Sequence, residues 1–258
     1  MELQIAVTMA YHLDPADVPL LTLEVARMPG QRLLRGALKV PKAKLKRMAA
    51  EGGLGKRVWA MFDGDRLDLR YEAQVQISRP DVVLGPMAAM PIHSLPPEAL
   101  SALRSSRFCP SDLFTDFAGQ QFGHLAGGEK VAAITDWVRA EIRYAAGSSD
   151  GGTTAIDTFL SRQGVCRDFT HLLCSLLRAA NIPARYVSAY GPDVQPGDFH
   201  AAAQVWLDGG WQLLDATGMG SASGLAVIAA GRDAADVAFL ETSHPVHLIA
   251  QSVSVARI

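Results

Sequence analysis

The most regular stretch of the chain runs from Phe169 to Ala180. Phe169, Leu172, Leu173, Leu176, Leu177 and Ala180 fall at the i, i+3, i+4, i+7, i+8 and i+11 positions of one helical face. The stripe predicts a helix buried on one side. It should end at Asn181-Ile182-Pro183, where Asn tolerates the left-handed conformation and Pro blocks another turn. Val131, Ile134, Val138 and Ile142 form a second stripe, predicting a helix from Lys130. Pro97 to Arg104, with Pro at its start, and Thr154 to Arg162 read as short helices.

Elsewhere the period is two. Leu3, Ile5, Val7 and Met9 alternate with more polar neighbours, and a second alternating run covers Leu20 to Ala26. Val58 to Phe62 and Leu67 to Ile77 flank Asp63-Gly64-Asp65, a hairpin signal. Pro41 to Gly55, basic and then glycine-rich, reads as a long loop or a short helix. Trp206-Leu207 and Gly210-Trp211 read as strand ends around Asp208-Gly209, a pair that tolerates the positive φ angles of a two-residue hairpin loop. Val253 and Val255 alternate near the end. The expected organisation is a β-rich domain over 1–80, a loop-rich linker with a short helix over 81–125, and an α+β core with C-terminal strands over 126–258.

Composition narrows the class. Of 258 residues, 49% are hydrophobic and 19% charged, which describes a well-buried globular protein and excludes disorder. Net charge is −2, and the one dense basic run, Lys42 to Arg47, reads as a solvated face. No nucleic-acid or membrane partner is expected. The first residues lack the basic and apolar regions of a secretory leader, and no stretch is long enough for a membrane span. Three cysteines form no even framework of bridges, so a cytoplasmic protein with free thiols is expected.

The candidate chemistry begins where Gly164-Val165-Cys166 opens the striped helix. Unpaired backbone N–H groups and the positive end of the dipole favour a thiolate there. If Asp208-Gly209 is a two-residue loop, Asp215 lies opposite Ala202 and diagonal to His200 on one sheet face. A carboxylate could then orient an imidazole beside a thiol. Cys109 lacks a following helix and reads as structural, and Cys174 as packed and inert. His171 is the next histidine to consider as a base. Cys166, His171, His200 and Asp215 match no short metal-ligand spacing, so neither metal nor cofactor is expected. The Gly147 to Gly152 loop lacks the Lys-Ser/Thr ending of a phosphate loop. Arg232 with Asp233 or Asp236 reads as a structural ion pair, and His244 and His247 as surface or packing residues.

Gly-Val-Cys-Arg-Asp-Phe at 164–169, Asn-Ile-Pro-Ala-Arg-Tyr-Val-Ser-Ala-Tyr at 181–190, Asp-Phe-His-Ala at 198–201 and Leu-Leu-Asp-Ala-Thr at 213–217 together resemble the transglutaminase-like superfamily. The nearest likeness is its bacterial group described as cysteine proteases. Segments at 106–112, 136–144 and 231–237 are similar to that group as well. The resemblance implies a papain/transglutaminase-like core, its nucleophile helix packed on an antiparallel sheet and preceded by an N-terminal β domain. It implies Cys166 as nucleophile, His200 as base and Asp215 as the residue orienting His200. The expected activity is hydrolysis of amide bonds, peptide or isopeptide, in a peptide or protein substrate through a thioester. Amine transfer to glutamine is the alternative, and a non-catalytic binding scaffold a third. The Cys166 backbone N–H is the natural oxyanion donor. A second donor should come from a side chain across the cleft, which the sequence does not identify.

Overall fold

A computed structural model describes residues 1–258. Alternation makes Glu2–His12 a strand (β1), with Leu3, Ile5, Val7 and Met9 buried on one face. It is followed by β2 (Leu20–Leu21), β3 (Gln31–Lys39), β4 (Lys44–Ala49), β5 (Lys56–Met61) and β6 (Arg66–Ile77). Three short or medium helices come next: α1 (Pro97–Ser101), α2 (Thr115–Phe122) and α3 (Gly127–Glu141). Then follow β7 (Arg143–Tyr144), α4 (Ala155–Ser161), β8 (Gln163–Gly164) and the striped helix α5 (Cys166–Ala179). The remainder is strand: β9 (Ala184–Tyr190), β10 (His200–Leu207), β11 (Gly210–Leu214), β12 (Ala226–Gly231), β13 (Leu240–Glu241) and β14 (His247–Arg257).

The strands form three antiparallel four-stranded sheets, ordered β14-β1-β6-β3, β13-β2-β5-β4 and β11-β10-β9-β12, and a parallel β7-β8 pair. The last strand therefore closes the first sheet, pairing Ile5 with Val255 and Val7 with Val253. One core joins this sheet to the third, because Tyr186, Tyr190, Ala201 and Ile228 pack with Leu3, Leu23 and Val75. Hydrogen bonds stitch the same boundary. Buried Gln31 bonds to the backbone of both Ala26 and Val227, and the Tyr190 hydroxyl donates to Leu23 O at 2.9 Å.

The second core surrounds α5. Leu172, Leu173, Leu176 and Leu177 are fully buried against Val131, Ile134 and Val138 of α3 and Ala203, Val205 and Leu207 of β10. Truncating one such leucine to Ala costs about 2–5 kcal/mol. The helix ends as the sequence implied, with Asn181 at φ 60° ahead of Pro183.

Two local expectations need correction. The segment Pro41 to Gly55 is neither loop nor helix throughout, for it contains β4, an edge strand. Its exposed lysines and arginine hide the alternation while discouraging pairing with another chain. In Leu20 to Ala26 only Leu20–Leu21 is regular strand; Thr22, Leu23, Val25 and Ala26 are buried without one, and Val25 N–H donates to the Tyr71 hydroxyl. No helix is long and apolar enough to cross a membrane.

Candidate active site

Cys166 opens α5 and is half-buried. Its placement depends on two neighbours. The fully buried Asp168 carboxylate accepts the Val165 N–H at 2.8 Å, satisfying a donor at the helix start. Gly164 passes so close that a Cβ there would lie 2.6 Å from Asp168 Cβ. Arg167 pairs with the same carboxylate at 3.2 Å. The sequence around Cys166 thus folds into a fixed turn that sets the thiol at the head of a buried helix.

The hairpin supplies the partners. Asp208 and Gly209 adopt φ of 50° and 74°, and Trp206 pairs with Trp211 and Ala203 with Leu214. Continuing that register sets Asp215 opposite Ala202, as the two-residue loop requires. Asp215 Oδ2 lies 2.9 Å from His200 Nε2, with both side chains buried. Three further hydrogen bonds to Asp215 were not identified as such from sequence. Asp215 Oδ1 accepts from Thr217 N and Oγ1 at 2.8 and 2.7 Å, and Oδ2 from Gly220 N at 2.8 Å. Burial pushes the Asp215 carboxyl up, but His200 and Thr217 outweigh it and hold it below its usual range.

With Nε2 committed to Asp215, only Nδ1 of His200 is free to meet a thiol. It is buried and makes no hydrogen bond. Burial alone would lower the basicity of this ring; the hydrogen bond to Asp215 and the proximity of Cys166 outweigh it and push the pKa up to about 9. Cys166 and His200 line one cavity of about 400 Å³, and Asp215 stands behind the imidazole. The structure therefore brings together all three residues singled out from sequence.

The remaining candidates are placed elsewhere. Cys109 and Cys174 are fully buried in the α5 core, and burial pushes the Cys109 thiol up to about 11. His171 is also fully buried, stacked on Phe108 at 5.2 Å between ring centroids, and burial drives it down to about 3. Its Nε2 accepts the Ala234 N–H at 3.1 Å, so it holds a wall segment and is unsuited to act as a base. Arg232 pairs with Asp236 at 2.9 Å, while Asp233 accepts from Phe108 N and Ala235 N. His244 lies on Asp17. No three His, Cys, Asp or Glu side chains gather as a metal-ligand set.

The cavity has a wall that the sequence did not reveal. Thr22, just past β2, Gln251 of β14 and Phe239, just ahead of β13, face the same space as Cys166. Tyr144 pairs with Gly164 and its ring lies 6.0 Å from that of Phe169, over the first turn of α5.

The profile of the Transglutaminase-like superfamily matches residues 116–216, which contain Cys166, His200 and Asp215. The crystal structure of a "Putative Cysteine Protease" from Cytophaga hutchinsonii is 30% identical, with a TM-score of 0.89 over 99% of this chain and 90% of that one. An uncharacterized protein of Mycobacterium leprae is 32% identical over 120 residues, 43% of each chain. One from Mycobacterium tuberculosis H37Rv is 34% identical over 87 residues, 30% of this chain and 28% of that protein. The match thus spans under half the length of these two curated relatives. The near-complete overlay on the Cytophaga structure, together with the matched core, establishes that the chain belongs to the transglutaminase-like superfamily.

Proposed function

We propose that the protein is a cysteine-nucleophile hydrolase of amide bonds, peptide or isopeptide, working through a thioester acyl-enzyme. The observation that carries this reading is the buried His200–Asp215 pair, whose remaining ring nitrogen is left for Cys166. His200 takes the thiol proton, and Asp215 fixes the ring so that Nε2–H points at the carboxylate and Nδ1 at sulfur. The thiolate attacks the carbonyl carbon. When the C–N bond breaks, His200 returns its proton to the leaving amine. Water then attacks the thioester, His200 takes its proton, and the acid product leaves with the thiol restored.

The oxyanion of each tetrahedral intermediate is assigned to the Cys166 backbone N–H and the Tyr144 hydroxyl. Tyr144 stands over the helix start, its ring 6.0 Å from that of Phe169. Burial, then the nearby Cys166 charge, raises the Tyr144 pKa, so the phenol keeps its proton and remains a donor. The three free thiols suit a reducing cytoplasm.

Profiling a lysate with wild type and with Cys166→Ala tests this function. New peptide N-termini, or lysine side-chain amines newly freed from isopeptide bonds, that require Cys166 support hydrolysis. Amine adducts on glutamine without new termini would instead make it an acyl transferase, and neither product would leave a binding scaffold.

A further inference from the structure

Three ionisable side chains with strong charge preferences line the cavity beside the thiol: His200, Arg167 and Asp198. Arg167 is already neutralised. Its guanidinium donates to Asp168 Oδ1 at 3.2 Å and to Ser149 Oγ at 3.3 Å. Asp198 is different. Its Oδ1 accepts from Gln251 Nε2 and from Phe199 N, each at 2.8 Å, which fixes the side chain. Oδ2 makes no hydrogen bond and no cation pairs with the carboxylate, which is exposed at the cleft. Next to it the Phe199 ring stacks on Phe239, 4.4 Å apart and 7° from parallel. A fixed, unpaired carboxylate beside aromatic faces is a setting that favours an ammonium or guanidinium group.

Asp198 precedes His200 by two residues, on the imidazole side of Cys166. That side is where the leaving amine collects its proton and, by microscopic reversibility, where an attacking nucleophile arrives. We propose that Asp198 selects substrates whose amine component carries an additional positive charge, such as a diamine or a basic side chain. This inference rests on the thiol chemistry proposed above and specifies its substrate class. Gln251 comes from β14, so the N-terminal sheet helps hold the selecting group in place.

Charged methanethiosulfonates test it without a known substrate. Each transfers its thioalkyl group to the Cys166 thiolate, forming a disulfide and releasing methanesulfinate. Rates at Cys166 are read by mass spectrometry for the trimethylammonioethyl and sulfonatoethyl reagents. Their ratio is divided by the same ratio for 2-mercaptoethanol. The expected wild-type preference for the cation is roughly tenfold, falling at least about fivefold in Asp198→Asn and surviving in Asp198→Glu. The neutral methyl reagent reports on the thiol itself. If it modifies Cys109 or Cys174 ahead of Cys166, the hydrolase reading fails. If it modifies Cys166 first while Asp198→Asn leaves the charge ratio unchanged, Asp198 is not the selecting group.

Discussion

Asp215 and His200 form the tightest relationship in the site: Oδ2 lies 2.9 Å from Nε2, while three further hydrogen bonds from Thr217 and Gly220 hold the carboxylate. These donors serve the ionised form, so the carboxylate orients the imidazole and offsets its charge without taking its proton. Asp215→Asn should therefore slow turnover less than His200→Ala, which loses proton removal and leaving-group protonation together. His200→Ala should cost about 10³-fold or more. Thr217→Val, which removes one hydroxyl and keeps the backbone bond, should cost about 1 kcal/mol, roughly fivefold. Single-turnover acylation rates of the three variants check the order. Near-wild-type acylation by His200→Ala would mean that the base lies elsewhere, and the buried, weakly basic His171 could not replace it.

The raised basicity of His200, to about 9, sets the alkaline behaviour. Thiol and imidazole titrate as a pair, so the limbs of the rate profile belong to the pair. Leaving-group protonation needs the charged ring, and kcat/KM should fall as pH rises through about 9. The stability sign is the same. A folded pKa above the ordinary histidine value adds stability that is full below about 6.5 and is lost as pH climbs through about 9. Cys166→Ala removes one of the groups raising the pKa, so the His200 NMR titration midpoint should move down. A midpoint unchanged by that substitution would show that the thiol does not meet this ring.

Tyr144→Phe tests the oxyanion assignment. The ring contact with Phe169 survives, and only the hydroxyl is lost. An oxyanion donor acts in the transition state, so kcat should fall about 10²-fold with KM little changed. A rise in KM with kcat intact would make Tyr144 a binding residue instead.

Gly164→Ala should damage the site from beneath. Its new Cβ would meet Asp168 at 2.6 Å and push that carboxylate off the Val165 N–H. A loss of about 1–3 kcal/mol is expected, together with slower alkylation of Cys166. Denaturant unfolding and labelling rates measure the two effects. A fully stable variant with normal labelling would show that the turn yields without cost.

Local signals carried most of the site. The apolar stripe marked α5, and Asp208-Gly209 set a register that placed Asp215 near His200 without any distant information. What stayed hidden depends on distant chain segments or on weak patterning. β3 shows little alternation because most of its side chains are exposed, and β4 looks like a basic loop because it is an edge. Nothing local in β14 announces that it pairs with β1. The wall built by Thr22, Phe239 and Gln251, and the Gly220 N–H beneath Asp215, exist only once those segments fold together.

The central claim is that Cys166 is a nucleophile activated by the helix start and His200. Limited iodoacetamide labelling at neutral pH, mapped by mass spectrometry in wild type and His200→Ala, tests it most directly. Cys166 should be alkylated well before Cys109 and Cys174, which lie fully buried, and its rate should drop in His200→Ala. Equal labelling of the three cysteines, a preference for Cys109, or a Cys166 rate indifferent to His200 would contradict the account.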